Sequence, residues 1–240
     1  MSRDKAAIRA RAKELREGQA RQARRREQLI RFGVVAAVLA AVVAVGVAVL
    51  ASRPSTGGSA ALPQGITEPD GGVVIGDETA AVTVEVWIDF QCPHCRDFEE
   101  SAASTLDAIV ADGSAKLVYH PLSFLGEESV RAANALGCAV DEGRQAAYLR
   151  TLFENQPPVR SGGFTNDDLV SLGESAGLDG SDFGACVNDG TYDGWVSNVA
   201  ASGSDAGVTA TPTVLVGGQT LSSDQLTPDG LRAAVEAAAG

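Results

Sequence analysis

Cys92-Pro93-His94-Cys95 is the segment of this 240-residue sequence best suited to chemistry. Two thiols separated by two residues can close a disulfide and open it again. Residues 81–90, AVTVEVWIDF, precede the segment and are rich in β-branched and aromatic side chains. Residues 97–111 follow it, with Phe98, Ala102, Leu106, Ile109 and Val110 at helical spacing. The pattern predicts a strand running into a helix, with the C-x-x-C at the junction. At a helix N-terminus the Cys92 sulfur would sit near unpaired backbone N–H groups and the positive end of the helix dipole. Both lower a thiol pKa. Cys95 lies one turn further in, less exposed, where it can close back on Cys92. Pro93 suits the first turn because it needs no N–H partner. A protonated His94 adds positive charge beside the thiolate. Stabilising the thiolate favours the reduced form and makes the disulfide a stronger oxidant.

Competing uses of these cysteines fit less well. Zinc wants four ligands, commonly from two close pairs. The other two cysteines, Cys138 and Cys186, are 48 residues apart and the chain has two His, so no metal site is expected. An inert disulfide across four residues is strained. Four cysteines allow three pairings, and spacing favours Cys92 with Cys95 and Cys138 with Cys186. Closing the long Cys138–Cys186 loop would stabilise by about 4 kcal/mol. Two buried free thiols are the alternative, and a second redox relay lacks an activating neighbour. No G-x-x-x-x-G-K-[ST], G-x-S-x-G or H-E-x-x-H motif occurs, and no cofactor is expected.

The surrounding pattern alternates strand and helix. Residues 116–122 read as a strand ended by Pro121, and residues 128–141 and 144–155 as helices. Thr165 with Asp168 resembles a capping box opening a helix that runs to Ala176. Residues 181–188 and 192–202 read as short helices, residues 213–216 as a strand, and Gly217-Gly218 as a hairpin turn with Leu221 starting the return strand. Pro228 sits at the start of an Ala-rich helix. Strands at both ends with helices between them argue for an α/β layer fold. Trp87 and Trp195 are expected in the core, His120 in a structural contact, and Asp167 and Asp168 as helix-start charges.

Charge is divided unevenly. Residues 1–31 carry 11 of the 19 Lys and Arg against 4 acids, whereas the rest carries a balance of −19. That acidic bulk argues against nucleic-acid binding, which needs a basic face. Residues 32–51 contain no charged side chain, and a helix of that length spans about 30 Å, the thickness of a bilayer's apolar core. The basic flank is expected to stay in the cytoplasm, with the acidic bulk exported. The long basic segment and long apolar run favour an uncleaved single-pass anchor over a cleaved signal peptide. Residues 52–72, rich in Gly, Ser and Pro, read as a flexible linker, and residues 73–240 as the folded domain.

The order of these motifs resembles the DsbA-like family of thiol–disulfide oxidoreductases. Trp87-Ile-Asp-Phe-Gln-Cys-Pro-His-Cys95, His120-Pro121-Leu122, Ala132 to Ala139 around Cys138, Leu152 to Gln156, and Gly207 to Gly218 around Thr211-Pro212 carry the likeness. It covers nearly all of the part predicted to be exported. The resemblance implies a thioredoxin-like fold with an inserted helical subdomain over about residues 127–205, preceded by one transmembrane helix. It implies Cys92 as the nucleophile, Cys95 as the resolving thiol, a cis Pro212 beside them, and Thr211 offering backbone groups to substrate. Members with a second disulfide place cysteines where Cys138 and Cys186 stand. The implied activity is donation of the Cys92–Cys95 disulfide to exported proteins, by a monomer reoxidised by a quinone-linked membrane protein of the DsbB or vitamin K epoxide reductase type. A tethered reductase or isomerase, and a non-redox binding module, are the other readings. Two departures stand out. Many members carry a buried acid six residues before the nucleophile, where this chain has Val86, and Gly where it has Ala210. Glu85 and Asp89 lie nearby, but alternation puts Glu85 on the face opposite Val86.

Overall fold

The computed structural model describes residues 60–240. The anchor expected over residues 32–51 lies outside the described residues. Among the described residues, no helix is long and apolar enough to cross a membrane.

The sheet is built around β2 (Val82–Ile88), which is flanked on one side by β3 (Ala115–Pro121) in parallel and on the other by β4 (Thr213–Val216) antiparallel. β1 (Val73–Ile75) pairs with the outer edge of β3 and β5 (Gln219–Thr220) with that of β4, giving the order β1-β3-β2-β4-β5. Val82, Val84, Val86 and Ile88 alternate onto one face and are buried. Such alternation is what a strand with one apolar face requires. The opposite face carries Glu85 and Trp87. Trp87 is also buried because Gly203 comes close to it: a Cβ at 203 would lie 3.2 Å from the Trp87 ring and 2.8 Å from Leu122.

α1 (Pro93–Ala111) and α7 (Pro228–Ala239) pack on each other and on the central strands. Between β3 and β4 stand five helices: α2 (Glu127–Asp141), α3 (Gln145–Glu154), α4 (Asn166–Ser175), α5 (Gly180–Asp189) and α6 (Asp193–Asp205). Every residue of α2 from Ala132 to Ala139 is buried, and the mostly small side chains of that run suit a helix enclosed by others. Thr165 and Asp168 form the capping box that starts α4, with bonds of 3.2 and 3.0 Å. The fold is the α/β fold that the resemblance implied, with the helical insertion between β3 and β4 in chain order.

Three details differ from the sequence reading. β1 was not foreseen, because three residues are too short for a period-2 signal. The return strand occupies Gln219–Thr220 and stops before Leu221, although the Leu221 N–H still donates to the Val214 carbonyl at 2.8 Å. The described part of the Gly- and Pro-rich stretch, from Ala60, makes packing and hydrogen-bond contacts before Gly72. Pro63 is buried, the Gln64 N–H donates to Asp141 at 2.8 Å, and the Trp195 indole donates to the Gly71 carbonyl at 2.8 Å. Composition alone marks flexibility, whereas these few backbone groups find partners on the helical layer.

Cys138 on α2 and Cys186 on α5 form a disulfide, with Cα atoms 5.9 Å apart. Asn134 links the same region by donating to the Val187 carbonyl and accepting from the Tyr192 N–H. Converting both cysteines to Ala is expected to destabilise the protein by about 4 kcal/mol, from the 48-residue separation, read as a lowered urea midpoint.

Candidate active site

β2 delivers the chain to the site. After Ile88, a tight turn through Asp89, Phe90 and Gln91 is closed by the Cys92 N–H donating to the Asp89 carbonyl at 2.9 Å. Cys92 is the residue that caps the start of α1, with Pro93 in the first turn. The Cys92 carbonyl accepts from the N–H groups of Cys95 and Arg96, at 3.1 and 3.2 Å, which begins the helix. Strand, turn and helix therefore place the two sulfurs where the sequence puts them.

Both Cys92 and Cys95 are free thiols. Cys95 is wholly buried and Cys92 is 8% exposed, so only Cys92 can meet another molecule's sulfur without rearrangement. From the other side comes the loop before β4. Its Thr211-Pro212 bond is cis, and the Thr211 carbonyl accepts the Cys92 thiol's hydrogen bond at 3.3 Å. The Ala210 carbonyl accepts from the Thr213 hydroxyl at 2.8 Å. The loop thus brings residues 92 and 211 together across 119 positions of sequence.

The two thiols are driven apart in acidity. The Cys95 thiol beside it is the largest influence on Cys92, lowering it to about 5. Burial opposes this, while the backbone N–H groups of Cys95 and His94 add to the lowering. Burial pushes the Cys95 thiol far up, and the neighbouring Cys92 sulfur adds to the rise. His94 acts through its backbone N–H. Its side chain is 83% exposed, with Nδ1 3.9 Å from the Asp97 carboxylate.

A buried polar network supports the turn. The Asp89 carboxylate accepts from the Ser129 hydroxyl (2.7 Å) and from the N–H groups of Gln91 (2.9 Å) and Leu125 (3.0 Å). Burial raises its pKa, the hydrogen bonds lower it, and Cys92 nearby raises it again. The Gln91 amide donates to Ser129 and accepts from the Arg160 N–H, and the Arg160 guanidinium donates to the Leu125 carbonyl. The Gln156 amide donates to the carbonyls of Phe90 and Cys92, at 2.8 and 3.0 Å. These contacts tie the redox turn to the helical layer. Sequence reading quoted Asp89 and Gln156 without giving them this role. The signal was there: Asp89 and Gln91 interrupt an apolar run, and a buried polar group needs partners.

Val86 is buried, as its position on the apolar face requires, and pairs with Tyr119. A carboxyl beside Tyr119 comes from α1. Glu99, four residues beyond Cys95, lines a small cavity of about 30 Å³ with Tyr119, and burial raises it to about 7. Among the described residues, no group of three or more His, Cys, Asp or Glu side chains is placed to hold a metal.

A thioredoxin family model matches residues 68–237. Among solved structures, the chain is similar to DsbA from Mycobacterium tuberculosis, with 26% identity and a TM-score of 0.62, over 70% of this chain and 92% of that one. It is also similar to the disulfide bond oxidoreductase DsbG of the same organism, with 26% identity and a TM-score of 0.63, over 72% of this chain and 89% of that one. A curated relative is the serine/threonine-protein kinase PknE of Mycobacterium tuberculosis, 29% identical over 159 residues. That stretch covers 60% of this chain and 28% of the kinase.

Proposed function

Since the chain belongs to the thioredoxin family, in its DsbA-like branch, we propose that this thiol–disulfide oxidoreductase donates the Cys92–Cys95 disulfide to exported proteins. The observation that carries the reading is the split between the two thiols, Cys92 held at about 5 and Cys95 pushed far up. A substrate thiolate attacks the Cys92 sulfur, the Cys92–Cys95 bond breaks, and Cys95 leaves with the electron pair and takes a proton. A second substrate thiolate then attacks the substrate sulfur of the mixed disulfide. Cys92 leaves as a stabilised thiolate, the substrate has lost two electrons, and the protein holds the dithiol. In this mechanism Thr211 offers backbone groups to the extended substrate, in the manner of strand addition.

The basic residues 1–31 followed by the apolar run 32–51 support a membrane anchor that leaves the domain outside the cytoplasm. The two electrons then pass to a quinone-linked membrane protein of the DsbB or vitamin K epoxide reductase type. Equilibration with glutathione tests the direction of transfer. A reduction potential near about −120 mV is expected, and one near about −270 mV would make the protein a reductant instead.

A further inference from the structure

A pocket of about 330 Å³ lies beside the cis-proline loop and takes no part in the dithiol chemistry. Residues 206–210, the segment leading into Thr211, form its wall. Its floor is the sheet face opposite Val86, where register pairs Glu85 with Leu215 and Trp87 with Thr213. Thr220, paired with Leu215 on the edge strand, completes the rim.

Glu85 is the one charged residue in this lining, which contains no Lys or Arg. Its side chain is 34% exposed, so a ligand can reach it. Behind it, His120 Nε2 lies 3.6 Å from the carboxylate, and the imidazole is held by stacking on Trp87, with ring centroids 4.0 Å apart. The neighbouring His120 imidazole lowers the Glu85 pKa, while partial burial opposes it. The pocket therefore combines a carboxylate floor with apolar and hydroxyl-bearing walls. That suits a long basic side chain, whose stem lies on apolar surface while its head finds a charge.

We propose that this pocket binds a Lys or Arg side chain of the polypeptide whose cysteine is engaged at Cys92, with Glu85 supplying the counter-charge. The inference rests on the reading that the protein exchanges with polypeptide thiols. The geometry makes the two events compatible. Thr211 touches the Cys92 sulfur, and Ala210 and Thr213 on either side of the cis bond line the pocket. An extended chain advances about 3.3 Å per residue and alternates its side chains, so a residue two or three positions from the substrate cysteine reaches the pocket. The balance of −19 over residues 32–240 favours encounter with basic polypeptide segments in general.

The test uses the full-length oxidised protein in detergent and peptides with one cysteine. Arg, Ala or Glu is placed in turn two and three residues to either side of that cysteine. At the preferred position the Arg peptide is expected to reduce the disulfide about fivefold faster than the Ala peptide, and the Glu peptide more slowly. High salt should narrow the difference. Glu85→Gln should bring the Arg-to-Ala ratio close to one, and Thr220→Lys, which sets a cation on the exposed rim, should do the same. Equal rates for the Arg and Ala peptides in the unaltered protein, or a preference that survives both substitutions, overturns the proposal. If no peptide reduces the disulfide at all, the exchange reading fails and the pocket assignment falls with it.

Discussion

Replacing Cys92 by Ser is expected to abolish disulfide exchange, whereas replacing Cys95 by Ser is expected to leave a protein that traps its substrates. The difference follows from position. Cys92 is the one of the two cysteines that keeps some exposure, and it is held by the Thr211 carbonyl and the start of α1. Without it no thiolate is available there, since the hydroxyl of Ser does not ionise in the working pH range. Exchange with a model disulfide should fall to background. Cys95 is wholly buried beneath it. Without Cys95, Cys92 can still form a mixed disulfide, but no internal thiol can expel the partner. Covalent adducts should therefore accumulate and run as mass-shifted bands on non-reducing gels, vanishing with added dithiothreitol. A Cys92→Ser protein with full biological activity would move the function to a non-redox binding module.

The second large effect concerns pH. The Cys92 thiol is lowered to about 5 in the folded reduced protein, against an ordinary value of about 8.5. A depressed pKa adds stability that is complete above the unfolded value and is lost as pH falls through the folded one. The disulfide form has no such proton to lose. The reduced protein should therefore gain on the oxidised protein by about 1.4 kcal/mol per pH unit between roughly pH 5 and 8. At pH 7 the advantage is about 3 kcal/mol, which corresponds to about 60 mV toward a more oxidising couple. Urea unfolding of the two forms at several pH values measures the gain, and thiolate absorbance near 240 nm should titrate with a midpoint close to 5. Equal pH dependence of the two forms would sink the thiolate account and the oxidant assignment with it.

Local patterns carried much of this in the sequence. Alternation placed Val82, Val84, Val86 and Ile88 on one buried face, and helical spacing placed Cys92 and Cys95 at the start of a helix. Strand and helix periods are short-range properties, so a window of ten to twenty residues records them. The capping box at Thr165 and the proline start at Pro228 are legible for the same reason. Resemblance to a family added the meeting of Cys92 with Thr211-Pro212, a contact no local rule predicts.

Only the tertiary structure decided which polar groups serve the site. Asp89, Ser129, Gln156 and Arg160 are scattered over 72 positions, yet they meet around one turn because the helical layer folds back over it. Glu99, which lines a small cavity with Tyr119, comes from a helix rather than from the strand that carries Val86. Glu85 shows the same division. Its sequence neighbours say which face it takes, but the pocket around it exists only because the segment before the cis-proline loop crosses that face. Periodicity belongs to a segment, whereas a hydrogen-bond partner or a cavity wall belongs to whichever segments packing brings together.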